Sequence, residues 1–459
     1  MTGTGDNSRR GVAALVVCFA AAYALFGLFR HWHFGSSAYD LGIFDQAVWH
    51  LSRFEAPAST ISGFSNILGD HFYPVIALFA PLYWIVPAPE TLIVAQAVLL
   101  AFSIVPVFLF LRDRLPDGPA LMLSAAYALF WGVQSAMAFD VHEMAFAPLA
   151  IATAILATDR RQWGWLWTAA ALLMLVKEDL IPILTMLGLL LMASGARRHG
   201  ALLAAASLIA FVVIVRTVIP SFAASGVFSV GSAYADVIAR PWTIPVTLVT
   251  PSIKMRTALW WLAPFGFLSL GSPLALLLVP LALERFLSSS PNHWGTAFHY
   301  SAPLAPILAM SAGDGLSRLA RRLDAETMRA RVLYGGAGAC LALSSLLPGH
   351  QPLWRLLSPK TYEQPSGART GDEAMARIPA GASVVAQAAI VSHLSRRDLI
   401  YMLDAKAPDA DYVVAAADLS PWPAVRFEDL ASLVEDRRRR GYTPVFDKDG
   451  WIVLRRASN

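Results

Sequence analysis

Five short stretches of this chain bring carboxylate, histidine, lysine or arginine side chains next to long apolar runs. Such groups can exchange protons with a substrate, hold cations or contact anionic groups. An ionisable group at membrane depth is costly, so it usually faces a cavity and marks function. The candidates are Asp40 and Asp45; Asp70 and His71; Asp140, His142 and Glu143; Lys177, Glu178 and Asp179; and Glu284, Arg285, His293, His299 and Tyr300.

Each stretch also has an ordinary structural explanation. A loop carboxylate is often only solvated, and Asp179 could stabilise the start of the next helix. His299 and Tyr300 could belong to the polar–aromatic belt of a membrane interface. Asp40 and Asp45 are five residues apart, about 140° around a helix, so they cannot share one helical face. All five stretches fall on one predicted membrane face, and this coincidence favours a shared site.

Composition places these stretches in a membrane protein. The chain has 459 residues, of which 56% are hydrophobic and 15% are charged, whereas soluble domains carry roughly 25% charged residues. Residues 348–459 resemble an ordinary soluble sequence. We therefore predict a membrane domain over residues 1–347 and a small soluble domain over residues 348–459.

The order of apolar runs and arginine clusters predicts the topology. The positive-inside rule puts the amino terminus, with Arg9 and Arg10, in the cytoplasm. With eleven spans, the later arginine clusters also face the cytoplasm, while loop 30–73 and the soluble domain face outward. Residues 74–87, between two prolines, are too short for a span and are predicted to be re-entrant or interfacial. The predicted runs are 11–29, 90–111, 119–134, 143–157, 163–176, 180–194, 201–219, 257–270, 272–284, 300–313 and 332–347.

The soluble domain is predicted to have an α/β fold. Short apolar strands are expected at 382–386 and 411–415, a helix at 427–440, and a strand pair at 442–446 and 451–454. In loop 30–73, the stretch from Leu41 to Leu51 is amphipathic, as an interfacial helix would be.

Several classes of function are disfavoured. The net charge of +4 and the short arginine clusters do not indicate a nucleic-acid-binding protein. Cys18 and Cys340 each lie inside an apolar run, so no disulfide or zinc–thiolate site is expected. A membrane protease is disfavoured because neither an HExxH motif nor a serine-nucleophile motif occurs.

The runs YDLGIFDQAVW, FDVHEMAFAPLA, KEDL and HYSAPLAPIL carry a family resemblance. The chain resembles the bacterial domain-of-unknown-function family 2079, whose polytopic membrane proteins are grouped with GT-C type glycosyltransferases. The resemblance extends over most of the chain and includes SVVAQAAIVSHLSRRDLIY in the soluble domain. It implies a multi-pass protein of the bacterial plasma membrane with a GT-C-like fold.

The resemblance also implies a reaction. GT-C enzymes transfer a sugar from a polyprenyl-phosphate-linked donor on the outer face, here to a cell-envelope glycan or lipid, with inversion expected. An acidic residue early in the first outer loop is their catalytic base or lies near it. Asp40 occupies the matching position, and Asp45 remains a competitor because the motif is Tyr-Asp, without a second adjacent acid.

The other candidates are assigned by the needs of that reaction. His71, Lys177, Arg285 and His299 are expected to contact the phosphate, while His142 and Tyr300 complete the substrate site. Glu143 and Glu178 would orient the acceptor or hold a divalent ion such as Mg²⁺ or Mn²⁺, a question left open. The soluble domain is expected to recognise a glycan acceptor.

Two other functions are compatible with these residues. A transporter or flippase of a lipid-linked sugar could use the same outer charges, but it should also have polar residues in mid-span. Arg216 is the main such residue. A non-enzymatic membrane scaffold would tolerate replacement of Asp40.

Overall fold

The computed structural model describes residues 3–349, 351–363 and 367–457. Its amino-terminal part is helical, and a small sheet lies near the carboxyl end. The first helices are α1 (Gly3–Trp32), α2 (Ile43–Ser52), α3 (Ala80–Tyr83), α4 (Pro89–Phe102), α5 (Ile104–Arg112), α6 (Asp117–Leu129), α7 (Trp131–Phe139), α8 (Phe146–Asp159), α9 (Trp163–Val176), α10 (Ile181–Ala193) and α11 (Arg197–Val213).

The later helices are shorter on average and several begin with proline. They are α12 (Ile219–Phe222), α13 (Ala235–Ala239), α14 (Ile244–Val249), α15 (Ile253–Leu262), α16 (Leu278–Leu287), α17 (Pro291–Trp294), α18 (Leu304–Ala320), α19 (Glu326–Leu346), α20 (Ala368–Met375), α21 (Ala388–Leu394) and α22 (Phe427–Arg439).

A described helical segment lies at each predicted apolar run, but the segments differ in length. Four are long and apolar enough to cross a membrane, namely Asn7–Trp32, Pro89–Arg112, Asp117–Phe139 and Arg197–Phe222. The apolar segment Pro74–Tyr83 has 10 residues. Its helical length is about 15 Å, half of a hydrocarbon core, so it is too short to span.

Salt bridges gather the predicted cytoplasmic connections at one end of the bundle. Arg114 pairs with both Asp159 and Asp314, and Arg160 pairs with Asp113. The predicted outer loops meet at the other end, where they build the cavities described below. The connections around Arg114 and the loops around Asp40 thus form two separate groups of contacts.

The central helix is α18, which is buried from Leu304 to Ser317 and packs against α5, α6 and α8. Helices α10 and α11 pack closely where Gly188 meets Gly200. A Cβ atom at Gly188 would lie 2.7 Å from the Gly200 carbonyl oxygen, so only glycine allows this approach.

The soluble domain contains a five-stranded mixed sheet in the order β2-β1-β3-β5-β4. Strands β1, β2 and β3 are parallel, and β5 is antiparallel to both β3 and β4. The predicted strands and α22 occur within two residues of their expected bounds, whereas β2, α20 and α21 were not predicted. The strands are β1 (Val384–Ala386), β2 (Ile400–Met402), β3 (Tyr412–Ala416), β4 (Tyr442–Lys448) and β5 (Trp451–Arg456).

The soluble domain docks on the first loop. The Gln46 amide donates to the Arg397 carbonyl at 2.9 Å, and the Ile400 N–H donates to the Thr60 hydroxyl at 3.1 Å. Helix α21 packs against the turn Ala38–Gly42, which carries Asp40. This docking places the domain against loop 30–73, and the contact with α21 holds the Ala38–Gly42 turn in position.

Candidate functional site

An ion pair sets the position of the Asp40 turn. The Asp140 carboxylate pairs with Arg30 at the end of α1 and accepts a hydrogen bond from the Ser37 N–H at 3.0 Å. Asp140 has φ 137°, a conformation that favours glycine, so the surrounding contacts hold strained backbone in place. Because Ser37 begins the turn Ala38–Gly42, Asp140 fixes the approach of Asp40 to the cavity.

Gln96 in α4 orients the second acidic segment. Its amide donates to the Asp140 carbonyl at 3.0 Å and accepts from the His142 N–H at 2.9 Å. His142 then points towards Asp40, with 3.5 Å between its Nε2 and the carboxylate. The His142 ring stacks on His299, with 3.5 Å between ring centroids. Residues far apart in sequence thus form one cluster.

Lys177 is a buried cation between carboxylates. Its Nζ lies 3.6 Å from Glu143 and 3.7 Å from Asp179. Burial alone would lower the pKa of Lys177, but the charges of Asp179 and Glu143 hold that pKa well above its usual range. The ammonium group is therefore charged at neutral pH.

Asp40, His142 and Lys177 line a polar cavity of about 760 Å³. Burial, reinforced by the charges of Glu143 and Asp140, raises the pKa of Asp40 to about 8. Asp40 therefore binds a proton more tightly than an ordinary aspartate, and the ionised form that can accept a proton in a reaction increases as the pH rises through about 8. The wall also includes Arg30, Tyr39, Asp70, His71, Tyr73, Asp140, His299, Tyr300, Met402 and Trp422.

A second cavity, of about 1190 Å³, lies beside the first and is called the groove below. Its walls are largely apolar and include Leu189 of α10, Leu208 of α11 and Leu283 of α16. His71, Lys177 and Tyr300 line both cavities. The largely apolar groove and the polar cavity therefore lie on two sides of the buried Lys177 ammonium group.

The predicted site residues divide into two groups. The structure brings Asp40, His71, His142, Lys177, His299 and Tyr300 to the walls of the polar cavity, and Glu143 lies directly behind His142 and Lys177. The three others have structural partners. Glu178 lines the groove but pairs with His71 and accepts from the Phe72 N–H at 2.8 Å, which ties loop 30–73 to α10.

Arg285 and Asp45 lie outside both sets of wall residues. Arg285 is 1% exposed and donates to the carbonyls of His293 and Gly295 and to the Ser301 hydroxyl. These bonds occupy the guanidinium and brace the chain before α18. Asp45 is fully buried and accepts hydrogen bonds from Tyr83 and from Ser395, the latter at 2.6 Å. Asp45 thus joins α2 and α3 to the soluble domain.

The structure adds three residues that the sequence did not single out for this site. Arg30 holds Asp140, and the aromatic side chains of Tyr39 and Trp422 meet at the cavity mouth with 5.6 Å between ring centroids. The position of Arg30 directly after the first span was a usable signal. Trp422 had none, because it comes from the soluble domain 382 residues after Asp40.

Asp40, His142 and His299 could together hold a metal ion. One ligand atom from each lies within 4.8 Å of the other two. Among the described residues, a second group of this kind is His50, Glu55 and Asp398, where Arg53 already contacts both carboxylates.

A family of predicted membrane proteins, DUF2079, matches residues 30–453. The chain belongs to this family. No curated protein matches the chain at a significant level.

Among solved structures, the structure of this DUF2079 protein resembles that of ArnT from Cupriavidus metallidurans bound to undecaprenyl phosphate. The TM-score is 0.60 with 13% sequence identity, and the match covers 97% of this chain and 98% of that chain. At this identity the likeness shows a shared fold. The predicted GT-C-like fold with a small carboxyl-terminal α/β domain is thereby confirmed.

We predict that Asp45 makes stability depend on pH. Burial raises its pKa from 3.8 to about 6. The folded state therefore binds the proton more tightly than the unfolded state, and stability falls as the pH rises through this window. The loss approaches about 3 kcal/mol above pH 6, at about 1.4 kcal/mol per pKa unit.

Thermal unfolding in detergent between pH 4 and 7 would measure this effect. Asp45→Asn should remove that part of the slope because asparagine does not titrate, while its oxygen still accepts from Tyr83 and its amide nitrogen can donate to the Ser395 hydroxyl. Identical slopes for the wild type and the variant would contradict the assignment.

Proposed function

We propose that this DUF2079 protein is a membrane glycosyltransferase. It would transfer a sugar from a polyprenyl-phosphate-linked donor to a cell-envelope glycan or lipid on the outer face of the bacterial plasma membrane. The amino terminus would be cytoplasmic and the soluble domain extracytoplasmic, as the arginine pattern predicts.

The observation that carries this proposal is the junction of the two cavities at Lys177. A lipid phosphate has an apolar chain and an anionic head, and the apolar groove and buried ammonium supply one surface for each. His71 and Tyr300 provide polar groups at the same junction. The ArnT structure holds undecaprenyl phosphate, which supports a lipid of this class.

The polar cavity would hold the acceptor and the reacting sugar. Asp40 would accept the proton of an acceptor hydroxyl as its oxygen attacks the anomeric carbon. The bond from that carbon to the phosphate oxygen would break, and the polyprenyl phosphate would leave with the electron pair. Lys177 would stabilise the charge that develops on that oxygen. A single displacement inverts the anomeric centre.

We assign the acceptor entrance to the aromatic pair of Tyr39 and Trp422. Trp422 is 44% exposed and Tyr39 is 38% exposed, although both belong to the cavity wall. Flat rings at a wet entrance can pack against the apolar face of a sugar, while polar groups deeper in the cavity bond its hydroxyls. With this assignment, the soluble domain would take part in acceptor recognition through Trp422.

Trp422→Ala should raise the KM for a glycan acceptor about 10-fold, on the scale of 1–1.5 kcal/mol for an aromatic contact. The KM for the donor should be unchanged. Trp354→Ala is a matched control, because Trp354 is 43% exposed and lines neither cavity. An unchanged acceptor KM in Trp422→Ala would remove the residue from the acceptor site.

The proposed activity is tested by incubating purified protein with a panel of labelled polyprenyl-phosphate sugars and native envelope glycan and lipid fractions. Labelled acceptor with release of polyprenyl phosphate is expected. Movement of intact labelled lipid across a vesicle membrane, without transfer in any acceptor fraction, would indicate a flippase.

A further inference from the structure

We propose that Asp40, His142 and His299 form a binding site for a divalent transition-metal ion of the zinc type. The transfer reaction derived above requires Asp40 but no metal ion, and binding through one carboxylate oxygen would leave the other oxygen free to accept a proton. Its use in catalysis would rest on the proposed function, whereas its ability to bind metal would not.

The first support is the convergence of three suitable ligands. One carboxylate oxygen and two imidazole nitrogens lie within 4.8 Å of one another. Ligands around a tetrahedral zinc ion lie about 3.4 Å apart, given Zn–N bonds of about 2.1 Å. The three ligand atoms would therefore move together by about an ångström or less. The stacked imidazoles would also rotate out of their stack, so that both nitrogen lone pairs point at the ion.

The second support is the environment of His142. Its Nε2 faces Asp40, while its Nδ1 lies close to the fully buried Glu143 carboxylate, although these two groups are not aligned for a hydrogen bond in the described structure. A metal-binding histidine commonly donates its second ring N–H to a carboxylate, which fixes the tautomer and orients the ring. Lys177 contacts Glu143 from behind and supports its ionised form.

The third support is His299. It is 3% exposed, and neither ring nitrogen has a hydrogen-bond partner within the part of the chain that the structure describes. A buried polar atom without a partner costs about 1–3 kcal/mol. A metal ion bound by one of these nitrogens would remove part of that cost and would explain why a histidine stays buried beside His142.

Charge balance points the same way. In the described residues, Asp140 is paired with Arg30, and Lys177 is paired with Glu143 and Asp179. The described structure pairs no lysine or arginine with Asp40, whose one ion-pair contact is His142. A dication bound here would stabilise the ionised form of the Asp40 carboxylate.

The ligand set decides the kind of metal. Mg²⁺ prefers oxygen ligands and keeps several waters, whereas imidazole suits zinc and neighbouring transition metals. Two histidines with one aspartate therefore favour Zn²⁺ over the Mg²⁺ expected from the carboxylates alone. Three protein ligands also leave a position for water or a substrate oxygen.

Metal binding can be measured without any substrate. Protein stripped with a chelator would be loaded with Zn²⁺, desalted and analysed for metal content, with cobalt as a spectroscopic probe of nitrogen ligands. The wild type should retain about one Zn²⁺ per chain against excess Mg²⁺. His142→Asn and His299→Asn should lose it, and Glu143→Gln should weaken the affinity about 10- to 100-fold.

The matched control is His50→Asn, which removes a histidine from the other described cluster. Full zinc content in this variant, with zinc lost from folded His142→Asn and His299→Asn protein, supports the site. The proposal is overturned if the wild type retains no zinc, if Mg²⁺ displaces it, or if zinc is lost only from His50→Asn. Thermal unfolding of each variant identifies misfolded protein, and Glu143→Gln tests the site while all three ligands remain.

Discussion

Asp40→Asn is expected to reduce sugar transfer by about 10²- to 10⁴-fold, the usual contribution of a positioned general base. The asparagine side chain has nearly the same shape but cannot accept the acceptor's proton. Binding of the lipid-linked donor should persist, because the groove and Lys177 are unchanged. Initial rates with saturating donor would measure the effect, and size-exclusion chromatography would verify the fold.

Two companion variants separate the roles assigned to Asp40. Asp45→Asn makes the same substitution five residues along the chain, at a carboxylate that braces α2 outside the cavity. His299→Asn keeps the base but removes a proposed metal ligand. Proton transfer by Asp40 is supported if Asp45→Asn keeps its activity and if Asp40→Asn loses more activity than His299→Asn. Activity that survives Asp40→Asn but disappears in Asp45→Asn would move the base to Asp45.

Lys177→Met should raise the KM for the lipid-linked donor by about 10- to 100-fold, on the scale of 1.5–3 kcal/mol for a hydrogen bond to a charged group. The substitution removes the cation at the junction of the groove and the polar cavity. It also leaves Glu143 and Asp179 without their shared partner, so some loss of stability is expected. Lys177→Arg should restore part of the donor affinity because it keeps the charge.

Lys254→Met is the matched control for the junction. Lys254 is also buried, at 1% exposed, but its ammonium donates to the carbonyls of Thr247 and Phe286, both at 2.7 Å. It lines neither cavity. Both lysine variants should lose stability, whereas the donor KM should rise only in Lys177→Met. An unchanged donor KM in folded Lys177→Met protein would contradict phosphate binding at this residue.

The sequence was sufficient for features that depend on local composition. Apolar runs indicate which segments lie in lipid, and arginine clusters indicate which connections lie in water on the cytoplasmic side. They therefore predicted the helical segments and the short length of the Pro74–Tyr83 segment. The alternating strands near the carboxyl end were also readable, whereas β2, with only three residues, was too short to show a pattern.

Acidic and histidine residues could be recognised as candidates because such groups are rare beside apolar runs. Sequence alone could not distinguish Asp40 from Asp45, since both have the same chemistry and lie in the same loop. Tertiary contacts separate them. Ser395 and Tyr83 donate hydrogen bonds to the Asp45 carboxylate. The Asp140–Arg30 pair instead positions the turn that brings Asp40 into the polar cavity.

The sequence by itself thus determined the membrane architecture and the kinds of side chain available at one face. Only the tertiary structure decided which of them meet. Arg285 donates to carbonyl groups, His142 and His299 stack although they are 157 positions apart, and Trp422 reaches the cavity from another domain. The physical reason is that the composition of a segment indicates whether it lies in lipid or in water. A site depends instead on the distances between segments, which are set by tertiary packing.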